Sequence, residues 1–132
     1  MTIIEAINQV DALKHNTYSQ DQKVKWLSRA ESMIKRLIID THEGGENVEF
    51  NGFTEDTDLH TALIAPEPYD ELYVRYLEMQ IDYANGEIDR YNGSAAMFHS
   101  TFQDYGRYYH RTHMPRCVKK NFFEEGMGCT RS

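Results

Sequence analysis

The stretch PEPYDELYVRYLEMQIDYANGEIDRYNGSAAMFHSTFQDYGRYYHRTHMP, residues 66–115, decides the fold. Tyr73, Leu77, Ala84, Ile88 and Tyr91 recur at helical intervals, and Leu72, Tyr76, Ile81 and Tyr83 widen the stripe, which predicts an amphipathic helix. Proline suits a first helical turn because its missing N–H would be unpaired there anyway. The helix is therefore expected to begin at Pro66-Glu67-Pro68 and, since its phase carries through Asn85-Gly86, to run to about Arg90. Asn92-Gly93 then reads as the turn and Ser94 as the N-cap of a further helix. Ala95, Phe98, Phe102, Tyr105 and Tyr109 mark that helix's apolar face, and Pro115 ends it.

Upstream, Ile3, Ile4, Ile7, Val10 and Leu13 predict a short helix over residues 2–14. Ser19 and Gln22 have capping-box spacing. They open a longer helix to about Asp40, with Val24, Leu27, Ala30, Ile34, Leu37 and Ile38 on one face. Residues 42–60 are polar and carry Gly44-Gly45 and Asn51-Gly52, which disfavour helix, while Val48 and Phe50 alternate as a brief hairpin arm would. A loop this long in a small domain is usually functional or packs on something. Phe50, Phe53, Leu59, Leu63 and Ile64 are its apolar anchors and the expected contact with a neighbouring subunit. The expected fold is all-α: a small bundle of about four helices over residues 1–115, with a long irregular loop or small β-hairpin between the second and third helices. A basic C-terminal arm follows over residues 116–132.

Charge divides the chain in the same way. The 132 residues carry 14 Lys plus Arg against 21 Asp plus Glu, for a net charge of −7. Residues 1–106 hold 8 basic and 19 acidic side chains, whereas residues 107–132 hold 6 basic and 2 acidic. Ten carboxylates and no Lys or Arg lie between Asp40 and Glu71, a surface that nucleic acid should avoid. Solvation accounts for most such faces; attraction to a basic partner, or to the basic arm of another copy, is the alternative. The length excludes a multidomain enzyme. No apolar run approaches the roughly 18 residues of a membrane span, and the first residues lack the pattern of a secretory signal. Two cysteines, Cys117 and Cys129, do not make a disulfide framework. The expectation is a soluble protein of a reducing cytosol, without membrane partners.

Several constellations invite chemistry. Asp56, Asp58, His60 and Glu67 fall at positions 1, 3, 5 and 12 of a calcium-loop template, but Thr61 stands where that template needs glycine. Caps and solvated acids explain them as well. His110, His113, Cys117 and Cys129, spaced H-x2-H-x3-C-x11-C, offer four soft ligands suited to tetrahedral zinc in a spacing that matches no common zinc module. Histidines near a helix C-terminus also complement its exposed carbonyls. Cys117 beside His113 has no third group to orient it as a nucleophile. Asp82 with Glu87 or Asp89 could be drafted as an acid–base pair, yet such carboxylates on a charged helix usually face water, and Glu87 is placed to pair with Arg90 or Tyr91. The aromatic series from Tyr69 to Tyr109 could serve as a base-stacking platform; its helical spacing favours core and subunit contact. With no phosphate loop, nucleophile elbow or strong metal signature, the residues favour an interaction protein over an enzyme, with no cofactor and no metal.

The stretch Phe53-Thr54-Glu55-Asp56-Thr57-Asp58-Leu59, followed by Leu63 through Tyr73, Gln80 through Asn92, Phe98, and Tyr109-His110-Arg111-Thr112-His113-Met114-Pro115, resembles the central part of small neck proteins. These are encoded in the head-to-tail region of tailed phages and prophages of Gram-positive bacteria. The resemblance covers roughly residues 50–115 and departs at Asn92-Gly93, where Asn-Asn is expected. It implies a head-to-tail connector, or adaptor: a helical virion protein, assembled in the host cytoplasm, that forms a ring, typically of twelve, beneath the portal protein. Viral DNA would pass through its channel without sequence-specific binding. The next neck or tail-completion protein would follow below.

In that setting Arg116, Lys119, Lys120, Phe122, Phe123 and Met127 are the expected portal-docking residues of the arm. An arm of this kind orders when it docks. A stopper or tail-completion protein, which usually relies on strands, is one alternative. A small cytosolic metal-binding or regulatory domain using His110, His113, Cys117 and Cys129 is another.

Overall fold

Thr2 opens α1 (Ile3–Leu13) with a full capping box: its hydroxyl accepts from the Glu5 N–H while the Glu5 carboxylate accepts from the Thr2 N–H. Ile3, Ala6, Ile7 and Val10 form the buried stripe. Ser19 caps α2 (Gln20–Ile34) by accepting from the Gln22 N–H at 3.2 Å, which is one half of the expected box. Val24, Leu27, Ala30 and Ile34 face inward as the spacing predicts. The computed structural model describes residues 1–115, and the arm expected over 116–132 lies outside them.

The helical path continues beyond α2 as a π-turn over Lys35–Ile39. The wider turn buries both Ile38 and Ile39 and leaves Leu37, expected on the inner face, 59% exposed. Gly44, at φ +84°, then turns the chain into a short 3-10 segment, Gly45–Asn47. A Cβ on Gly45 would stand 2.6 Å from the Ile39 carbonyl oxygen and 3.1 Å from the Asp40 Cα, both backbone atoms. Gly45→Ala should therefore cost about 1–3 kcal/mol in chemical denaturation. A loss below about 0.5 kcal/mol, the size of an ordinary surface change, would mean that the turn relaxes freely.

Residues 48–70 are irregular, and among the described residues the only ladder pairings are two isolated bridges, Thr2 with Ala62 and His42 with Pro115. The small hairpin considered at Val48 and Phe50 does not form. Polar backbone in this segment is satisfied elsewhere: Ile3 N–H donates to Thr61 O, Ile4 N–H to Leu59 O, and Ser28 Oγ accepts from Phe53 N–H at 3.1 Å.

The third helix, α3 (Glu71–Ala84), starts after the proline pair rather than on it, because Pro66 O accepts from Tyr69 N–H and closes a separate turn. It stops at the first Asn-Gly, not the second. Gly86 adopts φ +73° and its N–H donates to Tyr83 O, the left-handed glycine ending that side chains disfavour. Asn92-Gly93 lies inside α4 (Ile88–Thr112), so Ser94 is not a cap. Instead its hydroxyl donates to the Asp82 carboxylate across the α3–α4 pair. The two helices form an antiparallel hairpin whose seam is aromatic: Tyr76 meets Phe98 edge-on at 5.1 Å, and Tyr69 stacks on Tyr108 at 4.7 Å.

The core is continuous across α1, α2, the π-turn, α3 and α4. The all-α architecture expected from the periodicity is thus present, four α-helices with a long loop between the second and third. Among the described residues no helix is long and apolar enough to cross a membrane.

Candidate functional site

Three buried polar clusters hold the fold. Glu31, 1% exposed, sits on the apolar face of α2 and accepts from Ile64 N–H at 2.9 Å and from the Tyr73 hydroxyl. The Tyr73 oxygen accepts in turn from Ala65 N–H at 2.8 Å. Together they pin the end of the loop to α2 and α3. Burial pushes the Glu31 carboxyl up to about 7, against the two hydrogen bonds that favour its ionised form. Burial, followed by the facing carboxylate, raises Tyr73.

Asp82, fully buried, receives Lys14 Nζ at 2.6 Å and the Ser94 hydroxyl, joining α1, α3 and α4. The expectation that Asp82 faces water is therefore wrong, because this pair of donors replaces its solvent. Glu87 does pair with Arg90, at 3.1 Å, and Asp89 is exposed, so the drafted carboxylate pair does not converge.

His42, also buried, places Nδ1 2.7 Å from Ile38 O and Nε2 3.3 Å from His110 Nδ1, with its ring edge-on to Tyr109. The histidine partner of His110 is thus His42, 68 residues away, rather than His113. His113 stacks on Tyr109 at 3.7 Å and places Nδ1 3.3 Å from the Tyr109 carbonyl oxygen. Cys117 and Cys129 lie outside the described residues. Asp56, Asp58, His60 and Glu67 are all exposed, and Asp58 accepts from the His60 N–H as an ordinary turn acid does. Among the described residues no group of three or more His, Cys, Asp or Glu is placed to hold a metal ion.

The expected subunit-contact loop is anchored on its own protomer. Leu63 is buried, while Phe50, Phe53, Leu59 and Ile64 are half-buried. Phe50 and Phe53 meet edge-on at 5.0 Å. Leu63 therefore has little surface left for a neighbour, and the loop's exposed groups are mainly its carboxylates: Glu46, Glu49, Glu55, Asp56 and Asp58. The portal-docking residues Arg116, Lys119, Lys120, Phe122, Phe123 and Met127 lie outside the described residues.

One concave surface was not foreseen by the periodicity. An open groove of about 630 Å³ runs between the π-turn and the C-terminal half of α4, floored by Ile38, Phe102 and Gly106 and edged by Arg107, His110 and Arg111. A second groove, of about 520 Å³, lies beside it against α2 and Tyr76, with Arg29, Met33 and Arg36. Leu37 borders both. The two grooves together have an apolar floor and a cationic rim.

Compared with family models, with curated proteins and with solved structures, the chain finds no match in any of the three.

Proposed function

We propose that this chain is a structural, non-enzymatic protein of a phage neck, a head-to-tail connector that forms a ring under the portal and leaves a channel for DNA. The observation that carries this reading is that the neck-protein-like stretch, residues 50–115, spans the anchored loop and the α3–α4 hairpin, which pack with α1 and α2 into one helical core. Two further features support it. The described residues hold isolated bridges and no strand, which favours a helical adaptor over a stopper protein built on strands. The body carries 10 basic and 19 acidic side chains over residues 1–115, a balance suited to a conduit that must release DNA.

The test is to mix the purified protein with DNA-filled, tailless heads carrying their portal and to image the vertex by electron microscopy. A ring of added density at the portal, lost when residues 116–132 are removed, is expected. No density with folded protein would overturn the reading. Phe122→Ala with Phe123→Ala should abolish attachment while circular dichroism stays unchanged; attachment at the wild-type level would remove the arm from the docking role.

A further inference from the structure

Six of the ten Lys and Arg side chains in residues 1–115 are paired: Lys14 with Asp82, Lys23 with Asp11, Lys35 with Asp40, Arg75 with Glu71 and Glu78, Arg90 with Glu87, and Arg107 with Asp104. The four without a carboxylate partner among the described residues are Lys25, Arg29, Arg36 and Arg111. Three of these four border the two grooves that meet at Leu37. In a body so rich in acid, unpaired arginines gathered around exposed apolar surface fit a partner that brings both carboxylates and apolar groups. Nucleic acid would supply the charge but would leave Leu37 and Met33 facing a phosphate backbone, and the acidic remainder would repel it.

The chain itself contains such a ligand. Glu49, Glu55 and Asp56 are exposed on the loop, with no ion pair among the described residues, and flank Phe50 and Phe53. Within one protomer the loop reaches only the near end of the second groove, where Ser28 Oγ accepts from Phe53 N–H. Glu55 lies beside Asp21 and Lys25 at the start of α2, whereas Arg36 stands about 12 Å beyond Ser28 along the helical path at 1.5 Å per residue. The chain's own C-terminal arm places Glu124 and Glu125 beside Phe122 and Phe123, but with Arg116, Lys119, Lys120 and Arg131 its net charge matches the sign of the rim, which makes it a poorer occupant than the acidic loop.

We propose that the arginine-edged groove around Leu37 of one copy receives the acidic loop around Glu49–Asp56 of a second copy, giving a head-to-tail contact between unlike surfaces. Such a contact repeats from copy to copy and closes into a ring when its rotation allows. The choice of a second copy deepens the ring reading above and rests partly on it.

Charge exchange tests the contact on the full-length chain. One variant carries Arg36→Glu with Arg111→Glu, the other Glu55→Lys with Asp56→Lys; all four positions are exposed, so circular dichroism should remain that of wild type. By sedimentation velocity at low salt, wild-type mass should rise with concentration. Each variant alone should associate roughly tenfold or more weakly, since its groove and loop then carry the same sign. An equimolar mixture should regain association, because each groove again meets a loop of opposite charge, and added salt should weaken it. The proposal is overturned if wild type stays monomeric up to millimolar concentration, or if association ignores both pairs of substitutions. It is also overturned if a short duplex DNA binds the monomer and Arg36→Glu with Arg111→Glu abolishes that binding. Portal density with charge-insensitive association would sink this contact and spare the connector reading; charge-dependent association without portal density would do the reverse.

Discussion

Lys14→Met should destabilise the protein by about 3–5 kcal/mol, the range found when one partner of a buried ion pair is removed. The reason lies in the asymmetry of the pair. The Asp82 side chain is 1% exposed and the Lys14 side chain 21%, so the carboxylate depends on protein donors while the ammonium keeps some water. Without Lys14, the Ser94 hydroxyl alone would face a buried charge. Asp82→Asn should cost less, about 1–2 kcal/mol, since it leaves a partly solvated cation and a neutral amide still able to hydrogen-bond. Combining the two substitutions should recover much of the single Lys14→Met loss, the mark of a coupled pair in a double-mutant cycle. Urea unfolding of the four proteins measures this directly. A Lys14→Met loss under about 1 kcal/mol, the usual ceiling for an exposed pair, would show that the pair is solvated in solution. Three helices meet at this carboxylate, so the loss should also loosen the α3–α4 hairpin against α1.

What the sequence discloses and what it conceals follow from the range of the forces involved. Ser19 as an N-cap and the stripes Ile3–Val10, Val24–Ile34 and Phe98–Tyr109 are local, and each was legible from spacing alone. The choice between Asn85-Gly86 and Asn92-Gly93 was not, because the two dipeptides have the same turn chemistry. It is settled by Gly86 taking the left-handed conformation and by Ser94 reaching Asp82 from inside a helix. Leu37 departs from its expected place for a related reason: Ile38 faces inward as expected, but the π-turn makes Ile39 rather than Leu37 its buried neighbour, and that shift leaves Leu37 exposed at the groove. Glu31 with Ile64, Lys14 with Asp82 and His42 with His110 join residues 33 to 68 positions apart, beyond any local pattern. Glu31 alone left a usable sign, a carboxylate four residues after Leu27 on the apolar face of α2. The candidate surface was half legible. Its acidic loop shows in composition, whereas the arginine-edged groove needs α4 laid beside the π-turn.

Glu31 also makes the stability depend on pH in a direction opposite to that of most carboxylates. Its ordinary value is 4.5 and burial pushes it up to about 7 in the folded protein. Between those values the folded state binds a proton that the unfolded state has released, so unfolding free energy falls as pH rises. The contribution is complete below about 4.5 and is lost progressively as pH passes through about 7, roughly 3 kcal/mol in all. Glu5 acts the other way at acid pH, because the Thr2 N–H bonded to its carboxylate lowers it, so protonation there removes a capping bond. Glu31→Gln isolates the effect. The amide cannot ionise, so the difference in stability between wild type and variant should change by about 2.5 kcal/mol from about pH 5 to about pH 8, in favour of the variant at the higher pH. Parallel stability curves over that interval would show that Glu31 is hydrated in solution or keeps its ordinary acidity. When Glu31 ionises, the bond that it accepts from Ile64 N–H strengthens, but the larger cost of desolvating the charge favours opening of the loop end, which would hydrate it. Amide exchange at Ile64 should therefore quicken relative to the α3 core as pH rises, beyond the intrinsic dependence of exchange on pH. That links a buried carboxylate on α2 to the hold on the loop whose acidic outer edge is offered to a second copy.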